Sequence, residues 1–316
     1  MKKPLLILTG PTAVGKTKLS IALAKAVGGE IISADSMQVY RHMDIGSAKI
    51  RPEEMEGVPH HLLDVLEPEE PFHVVRFQEL AKAAMEEIYR RDHIPILVGG
   101  TGFYIQAILK DIDFTENSGD DSYRRSLEQL AREQGPQELH RRLALVDQQA
   151  AAEIHSNNVK RVIRALEFYH LTGQRISEHN RQEREKQSPY CFAYFVLNDD
   201  REKLYRQIDL RVDQMLEEGL LEEVRGLKER GCTRDMVSMQ GLGYKEMLDY
   251  LEGRTTLEEA IYILKRDTRH FAKRQITWFK REQEVIWINK ADFRYDQEAM
   301  LSHMIKIWRE KQEMEG

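Results

Sequence analysis

Cysteine is nearly absent from this chain of 316 residues: Cys191 and Cys232 stand far apart, outside any C-x-x-C or Cys/His spacing. Their scarcity excludes a disulfide framework and a zinc site and leaves two ordinary thiols. Long apolar runs are missing too. Stretches such as Leu5-Leu6-Ile7-Leu8 stop after one strand's length, far short of the roughly 18 residues of a membrane span, so no membrane partner is expected. With only 19 Gly, 9 Pro, 41% hydrophobic and 32% charged residues, the composition is that of a helix-rich globular protein and not of a disordered one. Met1-Lys2-Lys3-Pro4 enters the first apolar run with no cleavable leader pattern, so a cytoplasmic protein is expected. Nor is positive charge in excess: 47 basic against 53 acidic residues give −6. That excludes a uniformly basic nucleic-acid coat but leaves local patches open.

Short apolar runs alternate with helical patterns over residues 4–112: Leu5 to Leu8, Lys16 to Val27, Glu30 to Ser33, Arg76 to Arg91, Ile94 to Val98. This is the strand-helix rhythm of an α/β protein with a parallel sheet. Between Asn117 and Lys186 strand character vanishes and charged helical segments follow one another, which predicts a helical insertion. Strand character returns at Tyr190 to Leu197. Long helices are then expected over Arg201 to Arg230 and, from the capping box Thr256-x-x-Glu259, over Thr256 to Arg281, before a last run at Val285 to Ile288. The sheet domain is therefore discontinuous: 1–114 with 190–316 as the core, 115–189 as the insertion.

Directly after the first run stands Gly10-Pro11-Thr12-Ala13-Val14-Gly15-Lys16-Thr17, a full G-x-x-x-x-G-K-[ST] pattern leading into an amphipathic helix. Such a loop turns backbone amides toward phosphate oxygens, adds the partial charge of a helix N-terminus, and offers the Lys16 ammonium. Thr17 would place its hydroxyl on Mg²⁺. The usual nucleotide hydrolase adds a strand-end acid, yet Ile94 to Val98 runs into Gly99-Gly100-Thr101-Gly102 with no carboxylate there. The other strand does end in an acid, Asp35, which could hold a metal or accept a proton from a nucleophile. The glycine tip is expected to let backbone and hydroxyl approach phosphates closely.

These residues resemble the bacterial tRNA dimethylallyltransferases. The likeness rests on the loop, on Ser33-Ala34-Asp35-Ser36-Met37-Gln38-Val39-Tyr40, Met43-Asp44-Ile45-Gly46-Ser47-Ala48-Lys49, Pro59-His60-His61-Leu62-Leu63-Asp64 and Val98-Gly99-Gly100-Thr101-Gly102-Phe103-Tyr104. It continues through Arg161-x-x-Arg164-Ala165-Leu166-Glu167, Gly241-Leu242-Gly243-Tyr244-Lys245-Glu246 and Lys273-Arg274-Gln275-x-Thr277-Trp278. The resemblance implies a P-loop NTPase-like parallel sheet flanked by helices, with an all-helical insertion domain that binds tRNA. It implies transfer of the dimethylallyl group from dimethylallyl diphosphate to N6 of the adenine at position 37, 3′ of the anticodon, with release of diphosphate.

The site residues follow from the same resemblance. Asp35 would be the base toward a weakly nucleophilic exocyclic amine; Lys16, Thr101, Arg211 and Thr17 with Mg²⁺ would stabilise the leaving diphosphate. Contacts to the tRNA anticodon stem-loop would come from Asp35, Ser36, Met37, Gln38 and Thr101, from Arg124 and the run Lys160, Arg161, Val162, Ile163, Arg164, and from Gln240, Gly241, Leu242, Gly243, Tyr244 and Lys245. Relatives often carry a cysteine at the Gly241 position, so a side-chain contact is not expected there. His60 has two readings, a turn histidine or a polar contact near the substrate; Asp44 and Lys49 read as a structural pair. Two basic stretches suit RNA phosphates: the insertion face carrying Lys160, Arg161, Arg164, Arg175, Arg181, Arg184 and Lys186, and the helix carrying Lys265-Arg266, Arg269-His270, Lys273-Arg274 and Lys280-Arg281. The chain is expected to act as a monomer. The competing readings are a phosphate-loop kinase of a small nucleoside-like substrate, which would require ATP, and an RNA-binding adaptor with a vestigial loop.

Overall fold

A computed structural model describes residues 2–114 and 122–315. The chain forms two compact units, Met1–Leu109 with Pro189–Gly316, and Lys110–Ser188. The first contains one six-stranded sheet, every pairing parallel, in the order β3-β2-β4-β1-β5-β6. Its strands are β1 (Lys3–Thr9), β2 (Gly29–Ser33), β3 (His60–His61), β4 (Ile94–Gly99), β5 (Tyr190–Asn198) and β6 (Val285–Asn289).

β1 lies near the middle, and helices cover both faces, so it can be apolar at every position instead of at alternate ones. Leu5, Leu6, Ile7 and Leu8 are all fully buried. Leu5 and Ile7 enter the larger core with Phe77, Ile105, Val224 and Leu264, drawn from α2 (Val74–Arg90), α3 (Gly102–Leu109), α10 (Leu220–Glu229) and α12 (Leu257–Phe279). Leu6 and Leu8 enter the other core with Leu19 and Leu23 of α1 (Lys16–Val27), Leu204 of α9 (Arg201–Glu217) and Met300, Met304 and Trp308 of α13 (Gln297–Glu315). α11 (Tyr244–Leu251) completes this unit's long helices. At the far edge of β2, buried Glu30 takes Arg91 Nε and Nη2 at 2.9 and 2.8 Å and ring nitrogens of His61 and His93 at 2.7 Å each. The Arg91 hydrogen bonds, opposed by burial and aided by both histidines, hold its carboxyl down at about 2.

Register aligns the strand ends. Thr9 stands beside Gly99 and Val196, and Ser33 beside Val98. The segments leaving β1, β2 and β4 therefore emerge together at the carboxyl edge, where strand order turns back, the place where open parallel sheets bind ligands.

The second unit is helical: α4 (Ser122–Gln134), α5 (Pro136–Val146), α6 (Gln148–Glu153), α7 (Val159–Thr172) and α8 (Ile176–Glu185). Leu127, Leu130, Leu139, Leu143, Val162 and Leu166 make its core. Buried Asp147 ties α6 to α8, accepting the Ala150 amide at 2.9 Å and the Ser177 hydroxyl at 2.7 Å.

Three features differ from the sequence reading. Arg201 to Arg230 is two helices, because Gly219 adopts φ +102 between α9 and α10. His60–His61 is a short edge strand whose shortness hides it from any alternation test. α3, α11 and α13 have no counterpart in that reading, although Met300, Met304 and Trp308 mark the buried stripe of α13.

Candidate active site at the phosphate loop

Gly10 and Gly15 take φ +146 and +93, values that side chains resist. A Cβ on Gly10 would lie 2.3 Å from the Leu197 carbonyl oxygen, so the loop is pressed against the end of β5. Ala13 between them also has positive φ, +63. The Lys16 ammonium folds back across the loop and donates to the carbonyls of Gly10 and Pro11 at 3.0 and 2.8 Å. Burial lowers its pKa to about 7; the positive charge of Arg211 pushes the same way, and the Asp35 carboxylate opposes both. Arg211 itself is lowered by burial and supported by Asp35. Three charges from three separate elements thus act on one another at this point. Thr17 is exposed, and its hydroxyl makes no hydrogen bond among the described residues.

Asp35 follows β2. Its Oδ1 accepts the amides of Met37 at 2.8 Å and Gln38 at 3.4 Å, which fixes the carboxylate direction. Thr101 follows β4, and its amide donates to the Ala34 carbonyl at 3.3 Å, joining the two strand ends. The glycines beside it are also required by packing. A Cβ on Gly99 would lie 2.2 Å from the Ala34 oxygen, and one on Gly100 would lie 2.1 Å from Gln275 Nε2. Here the glycines admit neighbouring protein.

Gln275 is a residue that sequence reasoning gave no role. It is 6% exposed on α12, donates through Nε2 to the Gly100 carbonyl at 3.0 Å and accepts the Thr12 amide on Oε1 at 2.9 Å. The Thr12 amide, counted among the loop's phosphate donors, is therefore already occupied. Below this bridge the Thr9 hydroxyl donates to the Gly99 carbonyl at 2.6 Å. A signal was available: Ala272, Gln275 and Phe279 share the buried stripe of α12, and an amide on such a stripe requires partners.

The segments 35–38 and 240–245 do come together. A Cβ on Gly241 would fall 2.7 Å from Met37 Sδ, so any side chain there would require Met37 to move. The Gln38 amide is engaged internally, accepting from the Ser33 hydroxyl at 2.8 Å and donating toward the Ser47 and Ala48 carbonyls at 3.3 and 3.4 Å. Gln240 is exposed and donates to the Arg234 carbonyl; Leu242 and Lys245 are half-buried and Gly243 is buried. Tyr244 is fully buried, donates to Glu223 at 2.8 Å and accepts the Ser47 amide at 3.1 Å; its ring supports the fold and offers no face to a ligand.

In the helical unit Lys160 and Arg161 are exposed and Arg164 is half-buried. Val162 and Ile163 are core residues, 0% and 4% exposed, so their side chains are not surface contacts. Arg124 forms a two-pronged pair with buried Glu167 at 2.8 and 2.7 Å. On α12 the expected basic face is partly neutralised: Lys265 pairs with Asp213 at 2.5 Å and Arg269 with Asp209, both from α9. Lys273, Arg274, Lys280 and Arg281 remain exposed.

Lys49, with its side chain 5% exposed, contacts Asp44 and Asp64 at 2.6 Å each, the structural pair expected plus a third member. His60 Nδ1 meets the Val58 carbonyl at 2.8 Å, and burial lowers its pKa. No group of three or more His, Cys, Asp or Glu suited to a metal occurs among the described residues, and none of their helices is long and apolar enough to cross a membrane.

Comparison with known proteins gives one consistent answer. A family model described as IPP transferase matches residues 38–282, a span that begins just beyond Asp35. The tRNA dimethylallyltransferase of Lachnoclostridium phytofermentans is 64% identical over 310 residues, 98% of this chain and 99% of that protein. That of Geobacillus thermodenitrificans is 54% identical over 292 residues, 92% of each. Among solved structures, the tRNA isopentenylpyrophosphate transferase of Bacillus halodurans superposes with a TM-score of 0.75 at 47% identity, covering 99% of both chains. A eukaryotic dimethylallyltransferase acting on tRNA gives 0.80 at 32% identity, over 91% of this chain and 74% of that one.

Proposed function

The chain belongs to the IPP transferase family, and from that membership and the geometry of its site we infer that it moves the dimethylallyl group from dimethylallyl diphosphate to N6 of adenine 37 in tRNA, releasing diphosphate. The observation that carries the reading is the convergence at one sheet edge of the phosphate loop, with the Lys16 ammonium folded across it, and of Asp35 and Thr101 at the ends of the neighbouring strands, with the Arg211 charge close enough to lower the Lys16 pKa. Two cations suit a leaving group whose negative charge grows as the carbon-oxygen bond breaks, and one carboxylate suits a nucleophile that must lose a proton.

Binding comes first. The loop amides and Lys16 take the diphosphate, and Arg211 and the Thr101 hydroxyl add donors to oxygens that gain charge. The exocyclic amine of adenine is a poor nucleophile because its lone pair is shared with the ring. The outer oxygen of Asp35 accepts its proton as the new nitrogen-carbon bond forms, while Oδ1 stays anchored by the amides of Met37 and Gln38. The residues present fit a Mg²⁺ held chiefly by diphosphate oxygens, with the unengaged Thr17 hydroxyl as the protein ligand. Bound there, the ion would neutralise charge on the leaving group.

An adenine stacked in an anticodon loop has to be extruded to reach this site. The segments Asp35–Gln38 and Gln240–Lys245 are the proposed walls, with backbone groups and Lys245 in contact, and Lys160, Arg161 and Arg164 are the proposed phosphate contacts on the insertion. We assign the protein to the cytoplasm, acting as a monomer.

The deciding experiment supplies dimethylallyl diphosphate labelled in its allyl group together with either bulk tRNA or ATP. Label in tRNA is expected. Steady ATP turnover with a small acceptor and no labelled tRNA would favour the kinase reading.

A further inference from the structure

We propose that Gln275 is a positioning residue for the transfer reaction, its carboxamide setting the spacing between the phosphate loop and the strand ends that carry Thr101 and Asp35. The proposal rests on the transferase reading above. Gln275 joins two segments with no covalent proximity: Oε1 accepts the Thr12 amide at 2.9 Å and Nε2 donates to the Gly100 carbonyl at 3.0 Å. From Gly100 the linkage continues through Thr101, whose amide reaches the Ala34 carbonyl at 3.3 Å, to Asp35. The leaving-group cradle and the proton acceptor are thus spaced by a chain of hydrogen bonds with one side-chain amide at its middle.

The surroundings leave this amide little alternative. A Cβ on Gly100 would sit 2.1 Å from Nε2, so the side chain occupies the space a non-glycine residue would fill. Ala272 and Phe279, on the same stripe of α12, are fully buried, which holds the helix face in place. The contact requires a group with a donor at one end and an acceptor at the other, both neutral, because its partners are a carbonyl and an amide. Gln meets that requirement; a carboxylate fails at the Gly100 end, where two acceptors would face each other. A reacting pair displaced by about 1 Å can lose on the order of 10² in rate, so the cost should fall on kcat while tRNA affinity persists.

The test uses two variants of the full chain with labelled dimethylallyl diphosphate and tRNA. Gln275→Met keeps the length and removes both hydrogen bonds; kcat should fall at least about tenfold, with tRNA Kd within about threefold of wild type. Gln275→Glu is the sharper probe. When protonated it reproduces the amide, with O–H donating to Gly100 and C=O accepting from Thr12; ionised, it does not. Burial raises the pKa of such a carboxyl into the working range. The ratio of variant kcat to wild-type kcat should therefore rise about tenfold from pH 9 to pH 6. A ratio independent of pH beside an active wild type, or wild-type kcat in Gln275→Met, overturns the positioning role. So does a rate loss in Gln275→Glu that matches the fraction of the variant unfolded at the assay temperature at each pH, since the amide would then serve stability alone. Wild type that labels no tRNA at all removes the transferase reading and this one with it.

Discussion

Glu223 accepts the hydroxyl proton of Tyr244 at 2.8 Å while also gathering the amides of Asp44, Ile45 and Gly46 at 2.8, 2.8 and 3.1 Å. One carboxylate on α10 thereby fixes the loop from Met43 to Lys49, and Tyr244 links it to the Ser47 amide at 3.1 Å. Burial pushes the Tyr244 phenol well above its ordinary range, with Glu223 adding to the effect, so the hydroxyl stays protonated as the donor. Tyr244→Phe should cost about 1–2 kcal/mol in denaturant unfolding, the scale of a buried hydrogen bond left with unpaired partners. Its tRNA affinity should stay within a few-fold. Unchanged stability with a large loss of tRNA affinity would make Tyr244 a direct contact instead.

Lys16 gives a pH prediction. Its pKa is lowered to about 7 by burial and by Arg211, so at pH 8 much of the uncomplexed protein carries a neutral amine. A bound diphosphate restores the preference for the ammonium, so binding takes up a proton wherever pH exceeds the lowered value. Titration calorimetry with an unreactive diphosphate analogue, run at pH 8 in two buffers of different ionisation enthalpy, should show uptake approaching about one proton. This contribution should fade by about pH 6, where Lys16 is already charged, and be absent in Lys16→Gln. Buffer-independent heats at pH 8 would contradict it.

The helical insertion should contribute to RNA binding through charge. Replacing Lys160, Arg161 and Arg164 by Ala should weaken tRNA binding and flatten its salt dependence by roughly 0.7 to 0.9 in log-log slope for each phosphate that is no longer neutralised. Binding of the diphosphate analogue should hardly change. An unaltered slope, or equal weakening of both ligands, would mean that these residues serve the fold.

Local patterns revealed much of this protein, and distant partners concealed the rest. The phosphate loop is legible because Gly10, Gly15, Lys16 and Thr17 stand between an apolar run and an amphipathic helix within one short stretch. The α9–α10 break is not, because Leu216 and Leu220 keep helical spacing across Gly219. Charge counting overstated the basic face of α12, since Asp209 and Asp213, far away in sequence, neutralise Arg269 and Lys265. Gln275 and Glu223 escaped for the same reason: their roles consist of hydrogen bonds to Thr12, Gly100 and the Asp44–Gly46 amides.

The central claim is that Asp35 accepts the proton of the adenine amine, and a single-turnover comparison of wild type with Asp35→Asn tests it most directly. Asn keeps the carbonyl that anchors Met37 and Gln38 but cannot take a proton, so tRNA binding should remain within a few-fold while the rate of label transfer falls by at least about 10². Wild-type single-turnover rate in Asp35→Asn, at saturating tRNA and dimethylallyl diphosphate, would contradict the account.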